Sequence, residues 1–252
     1  MKGFEPKIVS FVCDWCSLQA ADFVGVTKLY FPRRIGFIRV PCSGRVNPEI
    51  IMDAFINGAD GVLVMGCAKG NCNYLTGNYQ VERVVKAVHK VMELAGLNPE
   101  RLRLHLESDT EISLVYLDFY KDVKELGEIG SELRLKGRPL KQLLLTMRDT
   151  LLDEDLKWLV GREWTLTTRE NVYGSPLDQE EFDRTMEQRI RDVFLENLVR
   201  RTVEKEPLTI PDVSKRIEKP SQDVFRAIME LKKKGKVKEV GMKERYPAYL
   251  MV

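Results

Sequence analysis

Over its first ~126 residues the chain repeats one unit, a short apolar run followed by an amphipathic helical stretch, and this constrains the fold most. The segments KIVSFVC, RIGFIRVPC and DGVLVMGC read as buried strands, and LRLHLE alternates like an edge strand. The helical stretches are SLQAADFVGVTKLY, stopped before Pro32, and EIIMDAFINGA, opened by Asn47, Pro48 and Glu49. In YQVERVVKAVHKVMELAG, Val81, Val84, Val85, Val88, Val91 and Met92 share one face and Gly96 ends the helix. Asp109 opens a last helix carrying Ile112, Val115, Phe119, Val123 and Leu126. Strands alternating with helices imply an α/β fold, here a small four-stranded parallel sheet with flanking helices on both faces. Right-handed crossovers then put every strand C-terminus along one edge of it.

That edge is where the cysteines fall. All five, Cys13, Cys16, Cys42, Cys67 and Cys72, lie in the first 72 of 252 residues. Cys13, Cys42 and Cys67 end three strands, so residues far apart in sequence become neighbours where open α/β sheets bind ligands. Cys16 and Cys72 follow in the adjoining loops. The opening MKGFEPKIVSF does not read as a signal peptide, and no apolar run approaches the ~20 residues that span a bilayer. A cytoplasmic protein is expected, in which an odd cysteine count points to metal or redox use rather than a disulfide framework. With 31% charged residues and a net charge of +2, no global field draws the chain to nucleic acid or membrane.

Three chemistries suit such cysteines. A dithiol oxidoreductase needs only Cys13 and Cys16 at a helix N-terminus and leaves three unused. Structural zinc takes paired C-x-x-C motifs or histidines, whereas Cys67 and Cys72 form C-x4-C, and His89 and His105 read as packing residues in a helix and a strand. A [2Fe-2S] cluster needs four thiolates and backbone N–H donors. PCSGR and GCAKGNC supply Gly44, Gly66 and Gly70, which let the backbone approach a cluster, while Arg45 and Lys69 could offset its charge. The glycines serve equally as turn residues and the cations as solvated surface, so the spacing leaves all three chemistries open. In a four-thiolate site one cysteine is surplus. Cys13, Cys67 and Cys72 form the firm part of the set, and the helix dipole and C-x-x-C bite favour Cys16 over Cys42 as the fourth.

CDWCSLQAADF, VPCSGRVNPEIIMDAFINGADGVLVMGC, CNYLTGNYQVERVV and GLNPERLRL together resemble the delta, or iron-sulfur, subunit family of methyl-viologen-reducing hydrogenase and heterodisulfide reductase complexes. The resemblance covers about residues 8 to 126. It implies one [2Fe-2S] cluster held by these cysteines. It also implies electron transfer from a hydrogenase or formate dehydrogenase to the flavin-bearing subunit of a heterodisulfide reductase, in anaerobic metabolism. The chain departs from the family at Ala68 and Asn73, where histidine is common, so imidazole tuning of the cluster is absent. It also carries ~125 residues beyond the common domain, so its complex can differ from the hydrogenase one.

Composition shifts near Gly127, where GEIGSELRLKGRPLKQ opens a helix-rich connector. The organisation expected is an iron-sulfur-binding α/β domain over 1–126, a connector over 127–179 and a winged-helix-like docking domain over 180–252. That last region reads as a long helix from Phe182 to Val203, a short helix after Thr209, a helix from Ser221 to Lys234, and two strands. Residues 209 to 252 hold eleven Lys and Arg against six Asp and Glu. The Ser221 helix turns Val224, Phe225, Ile228, Met229 and Leu231 inward and leaves Gln222, Asp223, Arg226 and Glu230 outside; two carboxylates on that face oppose DNA, so a protein partner is expected. The leading reading is an electron-transfer subunit without bond chemistry of its own. A redox-sensing winged-helix regulator and a zinc-stabilised scaffold are the alternatives.

Overall fold

The computed structural model describes residues 4–15, 34–106, 112–130, 139–172, 174–243 and 245–252. The expected helix after Cys16 and the Asp109 helix start lie outside the described residues. Four strands, β1 (Ile8–Cys13), β2 (Ile35–Val40), β3 (Gly61–Gly66) and β4 (Leu102–Leu106), form one parallel sheet in the order β2-β1-β3-β4. The order reverses direction after β2, which makes the C-terminal edge beside β1 and β3 the switch point of the sheet.

Helix α1 (Pro48–Ile56) starts where Asn47 accepts the Ile50 N–H at 3.0 Å and Pro48 presets the first turn. Helix α2 (Gly77–Ala95) buries Val81, Val85, Val88, Val91 and Met92, and Gly96 ends it in the left-handed region at φ 76°. Each valine so buried contributes on the order of 1.5–3 kcal/mol. Both helices pack on the sheet face bearing Phe11, Val62 and Val64. The opposite face, with Ile8, Leu63 and Met65, is covered by α3 (Ile112–Leu126) through Tyr116, Phe119 and Val123. Alternation along β3 thus feeds two apolar layers, as a doubly covered parallel sheet requires.

Arg101 is fully buried ahead of β4, where its guanidinium donates to the carbonyls of Asp60, Leu126 and Gly127 at 2.9, 3.1 and 3.0 Å. The Asp60 carboxylate accepts the backbone N–H groups of Lys7 and Ile129. This network ties the start of β3 to the end of α3, at the pole of the sheet opposite the cysteines.

Helices α4 (Leu140–Leu151), α5 (Glu154–Thr168) and α6 (Gln179–Thr202) lie against α1 and α2, so that Leu143, Met147, Phe182 and Ile190 join the core containing Phe11 and Val64. Beyond α6, β5 (Leu208–Thr209), α7 (Ile210–Ile217), α8 (Ser221–Lys233), β6 (Val237–Lys243) and β7 (Tyr246–Met251) close a second core around Val199, Val213, Ile228 and Tyr249. Their antiparallel sheet runs β5-β7-β6. Two-residue β5 carries too little alternation to be read from sequence.

One inward assignment is corrected here. Phe225 is 49% exposed, not buried. Inward Val224 and Ile228 lie one turn apart, and Phe225 falls at the flank of their stripe, on the side shared with Gln222 and Met229.

Candidate metal centre

Register builds the centre. In the parallel ladders Cys13 stands opposite Val40, and Val12 opposite Met65, so the chain leaves β1, β2 and β3 at one level of the sheet. Cys13 is the last residue of β1, Cys67 follows β3 directly, and Cys42 follows β2 by two residues. Cys42 caps a single 3-10 turn, Ser43–Arg45, and its sulfur accepts the Gly44 N–H. Cys72 comes from the loop between Cys67 and α2. The four form a buried cluster, exposed by 1%, 5%, 3% and 6% for Cys13, Cys42, Cys67 and Cys72.

Within the cluster the sulfurs are paired. Cys13 Sγ lies 3.9 Å from Cys67 Sγ, and Cys42 Sγ lies 3.8 Å from Cys72 Sγ. None of the four is in a disulfide. Among the described residues, no group of three or more His, Cys, Asp or Glu side chains is arranged to hold a single metal ion. The neighbouring-strand convergence that Cys42 needed is present, while Cys16 lies outside the described residues.

The two members of the outer pair have different surroundings. Burial pushes the Cys42 thiol up to about 11, against the Gly44 N–H at 3.4 Å that favours the thiolate. Burial acts the same way on Cys72, but the backbone N–H groups of Tyr74, Asn78 and Gly77, with the Cys42 thiol, outweigh it and bring Cys72 below the usual thiol range. Thr76, the N-cap of α2, makes no side-chain capping bond. The Cys72 sulfur takes that place, accepting N–H groups that a helix start leaves unpaired.

Glycines let the backbone come this close. A Cβ on Gly77 would sit 2.2 Å from Cys42 Sγ and 3.2 Å from Cys72 Sγ, and one on Gly44 would meet Gly77 Cα at 2.6 Å. A Cβ on Gly66 would strike Ser43 Oγ at 2.6 Å. That hydroxyl is buried and has no hydrogen-bond partner, a donor left over next to Cys42. Four thiols in two pairs, amides aimed at two of them and a spare hydroxyl fit a sulfur-ligated group. Gly70 sits at φ +87° in the open loop and serves the turn. Lys69 reaches outward to Glu82 at 2.8 Å, and Arg45 is exposed on the 3-10 turn. His89 Nε2 meets the Leu102 carbonyl at 2.8 Å, away from the cysteines.

Sequence reasoning missed Gly77 and Ser43. Gly77 lies in the run Thr76-Gly77-Asn78 at the start of a strongly periodic helix, a place where a glycine is otherwise a liability; that was its signal. Ser43 had none beyond adjacency to Cys42.

The sequence model of the family described as methyl-viologen-reducing hydrogenase, delta subunit, matches residues 8–127. The iron-sulfur subunit of the F420-non-reducing hydrogenase of Archaeoglobus profundus is 44% identical over 132 residues, 51% of this chain and 96% of that protein. This chain belongs to the hydrogenase delta-subunit family. Within it, the iron-sulfur subunit of the vhc F420-non-reducing hydrogenase of Methanococcus voltae is 39% identical over 129 residues, half of this chain and 90% of its own. The similarity also reaches one of the subunits of the ferredoxin:CoB-CoM heterodisulfide reductase of Methanosarcina mazei, 39% identical over 132 residues. Only 17% of that larger protein is covered, so the delta-type domain occurs there as one part of a longer chain. These matches span about half of this chain, and residues after Gly127 fall outside the family model. No helix among the described residues is long and apolar enough to cross a membrane.

Proposed function

We propose that this chain is an electron-transfer subunit holding one [2Fe-2S] cluster on Cys13, Cys67, Cys42 and Cys72. It would relay electrons between a hydrogenase, formate dehydrogenase or other oxidoreductase and a heterodisulfide-reductase-type flavin subunit. The observation that carries this is the pairing of the sulfurs. A tetrahedral ion with metal–sulfur bonds near 2.3 Å separates its ligand sulfurs by about 3.8 Å along every edge. Here that spacing occurs within two pairs, at 3.9 and 3.8 Å, and among the described residues no third ligand completes a single-ion cage. Two pairs suit two irons better than one zinc. When bound, the cluster supplies storage for one electron at a time. The cysteines anchor it, Gly44 and Gly77 let amides approach, and the burial of the set keeps water from the sulfurs.

The C-terminal unit reads as a winged-helix-like docking module. Several of its basic residues are engaged in internal pairs: Lys234 with Glu196 at 2.6 Å, Lys233 with Glu230 at 2.6 Å, Lys232 with Glu239 and Lys243 with Asp212. With Phe225 half exposed on α8, this surface suits a protein partner better than a phosphate backbone. The domain boundaries at 126/127 and 179/180 belong to the same proposal. Co-purification tests the whole: the intact chain should bring down a flavin-containing reductase subunit from its native cells, and a chain cut after residue 127 should not. Sequence-specific DNA binding with a steep salt dependence would favour the redox-sensing regulator instead.

A further inference from the structure

The loop that carries Cys72 to α2 holds a bulky side chain in a conformation that ordinarily needs glycine. Leu75 stands at φ 66°, and the Thr76 N–H donates to the Tyr74 carbonyl at 2.8 Å, so Leu75 is the middle residue of a γ-turn of the rare, strained hand. Glu218, the other described non-glycine residue at positive φ, ends helix α7, where that conformation is ordinary. Leu75 has no such reason, and its side chain is 80% exposed, with Tyr74 beside it 53% exposed. Cys72 holds the turn through two of its atoms: its carbonyl accepts the Leu75 N–H at 2.9 Å, and its sulfur accepts the Tyr74 N–H. Strain of this kind survives only where the surroundings fix it. Here it gains no burial and points a leucine into solvent next to the cysteine cluster. The cations nearby differ in their pairing. Lys69 meets Glu82 at 2.8 Å and Arg39 meets Asp14 at 3.1 Å, whereas exposed Arg45 makes no ion pair with a described residue. Its turn abuts the start of α2, since a Cβ on Gly44 would meet Gly77 Cα at 2.6 Å, so Arg45 and Leu75 flank one contact.

We propose that Leu75 and Tyr74 form an apolar knob that docks into a pocket on the flavin-bearing partner, that Arg45 meets a carboxylate at the rim of that pocket, and that electrons cross at this contact. This rests on the electron-transfer reading above. A side chain held outward by a fixed turn loses little further freedom on docking, which favours one defined contact. The apolar knob excludes water beside Cys72, and the charge pair at Arg45 sets the orientation. The occupant is therefore a protein that presents an apolar, acid-rimmed pocket close to its flavin. One electron crosses at a time. With the reduced chain as donor, one ferrous ion becomes ferric and the flavin gains that electron, while no bond is made or broken in this chain and the cysteines move no proton. The C-terminal unit holds the partner, and the Leu75 turn brings its flavin to the cluster.

The test uses the full chain with its cluster, purified anaerobically, and the flavin-containing reductase subunit that it brings down. Asparagine tolerates positive φ, so L75N keeps the turn and removes the apolar side chain. L75N should retain its iron, sulfide and visible spectrum and still bind the partner through the C-terminal unit. Once reduced and desalted, however, it should bleach the partner's flavin more slowly than the unaltered chain by about tenfold or more, the cost of lost positioning. W158S removes a comparably exposed ring on α5, 55% exposed, and should leave that rate unchanged. An L75N rate equal to that of the unaltered chain, or a W158S loss as large as that of L75N, would overturn the proposal. R45M should flatten the dependence of the rate on salt, and an unchanged slope would overturn the part given to Arg45. Hydrogen exchange of the unaltered complex needs no variant: the amides of residues 74–77 should gain protection on binding, and exchange as fast as in the free chain would overturn the knob. A chain without iron, or one that brings down no flavin subunit, would instead overturn the electron-transfer reading itself.

Discussion

The α/β unit and the C-terminal unit treat their reactive and charged residues in opposite ways. At the sheet edge four cysteines are buried together and taken from three strand ends and one loop, so that their meeting is a product of topology. Beyond α6 the prominent residues are lysines and arginines on the surface, and several meet an acid nearby: Arg216 with Glu206 at 2.8 Å, Lys234 with Glu196 at 2.6 Å, Lys243 with Asp212 at 3.3 Å. Pairs as exposed as Arg216–Glu206 and Lys243–Asp212 contribute ~0–1 kcal/mol each. The lesson is that a local excess of charge says little until its partners are known, whereas clustered cysteines at strand ends say much before any partner is seen.

The comparison breaks most visibly if the cysteines prove dispensable. Serine at Cys13, Cys42, Cys67 or Cys72 should cost most of the bound iron, while removal of residues 203–252 should leave iron per chain nearly unchanged; metal analysis of both sets decides it. G77A belongs with the first group, because its Cβ would lie 2.2 Å from Cys42 Sγ. It should yield folded protein by circular dichroism with little visible absorbance, and a full spectrum would contradict the cradle described above.

Next in size is the buried network at the far pole. Replacing Arg101 by Met leaves three carbonyls without their donor and should lower unfolding stability by about 3–5 kcal/mol in denaturant titrations. R216M, which removes an exposed partner of Glu206, should cost far less, about 0–1 kcal/mol. Equal losses would mean that the C-terminal ion pairs hold the fold as the buried arginine does.

Tyr116 offers a pH test of the sheet. Its hydroxyl lies 3.1 Å from Ser10 Oγ, and burial pushes it up to about 12 although the Ser10 bond acts the other way. A phenol raised above its unfolded value of 10 keeps its proton longer in the folded state, so its contribution is full below pH 10 and is lost as pH rises toward 12. The loss amounts to about 3 kcal/mol by the usual conversion. Chemical denaturation from pH 9 to about 12 should show this slope in the native protein and less of it in Y116F. Parallel curves would place the alkaline sensitivity elsewhere.

Smallest in stability is F225D on α8, expected within ~0.5 kcal/mol of the unaltered chain because the ring is half exposed. Pull-down with the reductase partner should nonetheless weaken. An unchanged complex would move the docking surface off α8.

Legibility followed periodicity. β1, β3 and α2 were readable because their apolar patterns are long and agree with their caps, Gly96 among them. The parallel order, and with it the meeting of Cys13, Cys42 and Cys67, followed from alternation alone. The inclusion of Cys42 was harder, since it depends on the close approach of the Gly44 turn to Gly77, two segments far apart in sequence. Gly77 and Ser43 act through contacts between segments distant in sequence, and no local pattern carries such contacts. Phe225 escapes the stripe because a helix's flank is decided by what packs against it, here α6 first and then α7 and β6.

The central claim is that two thiolate pairs hold two irons. Iron, zinc and acid-labile sulfide assayed on anaerobically purified full-length protein, with electron paramagnetic resonance after one-electron reduction, test it most directly. The account predicts about two iron and two sulfide per chain and a spin-one-half signal on reduction. One zinc per chain without sulfide, in protein made with ample iron, would contradict it.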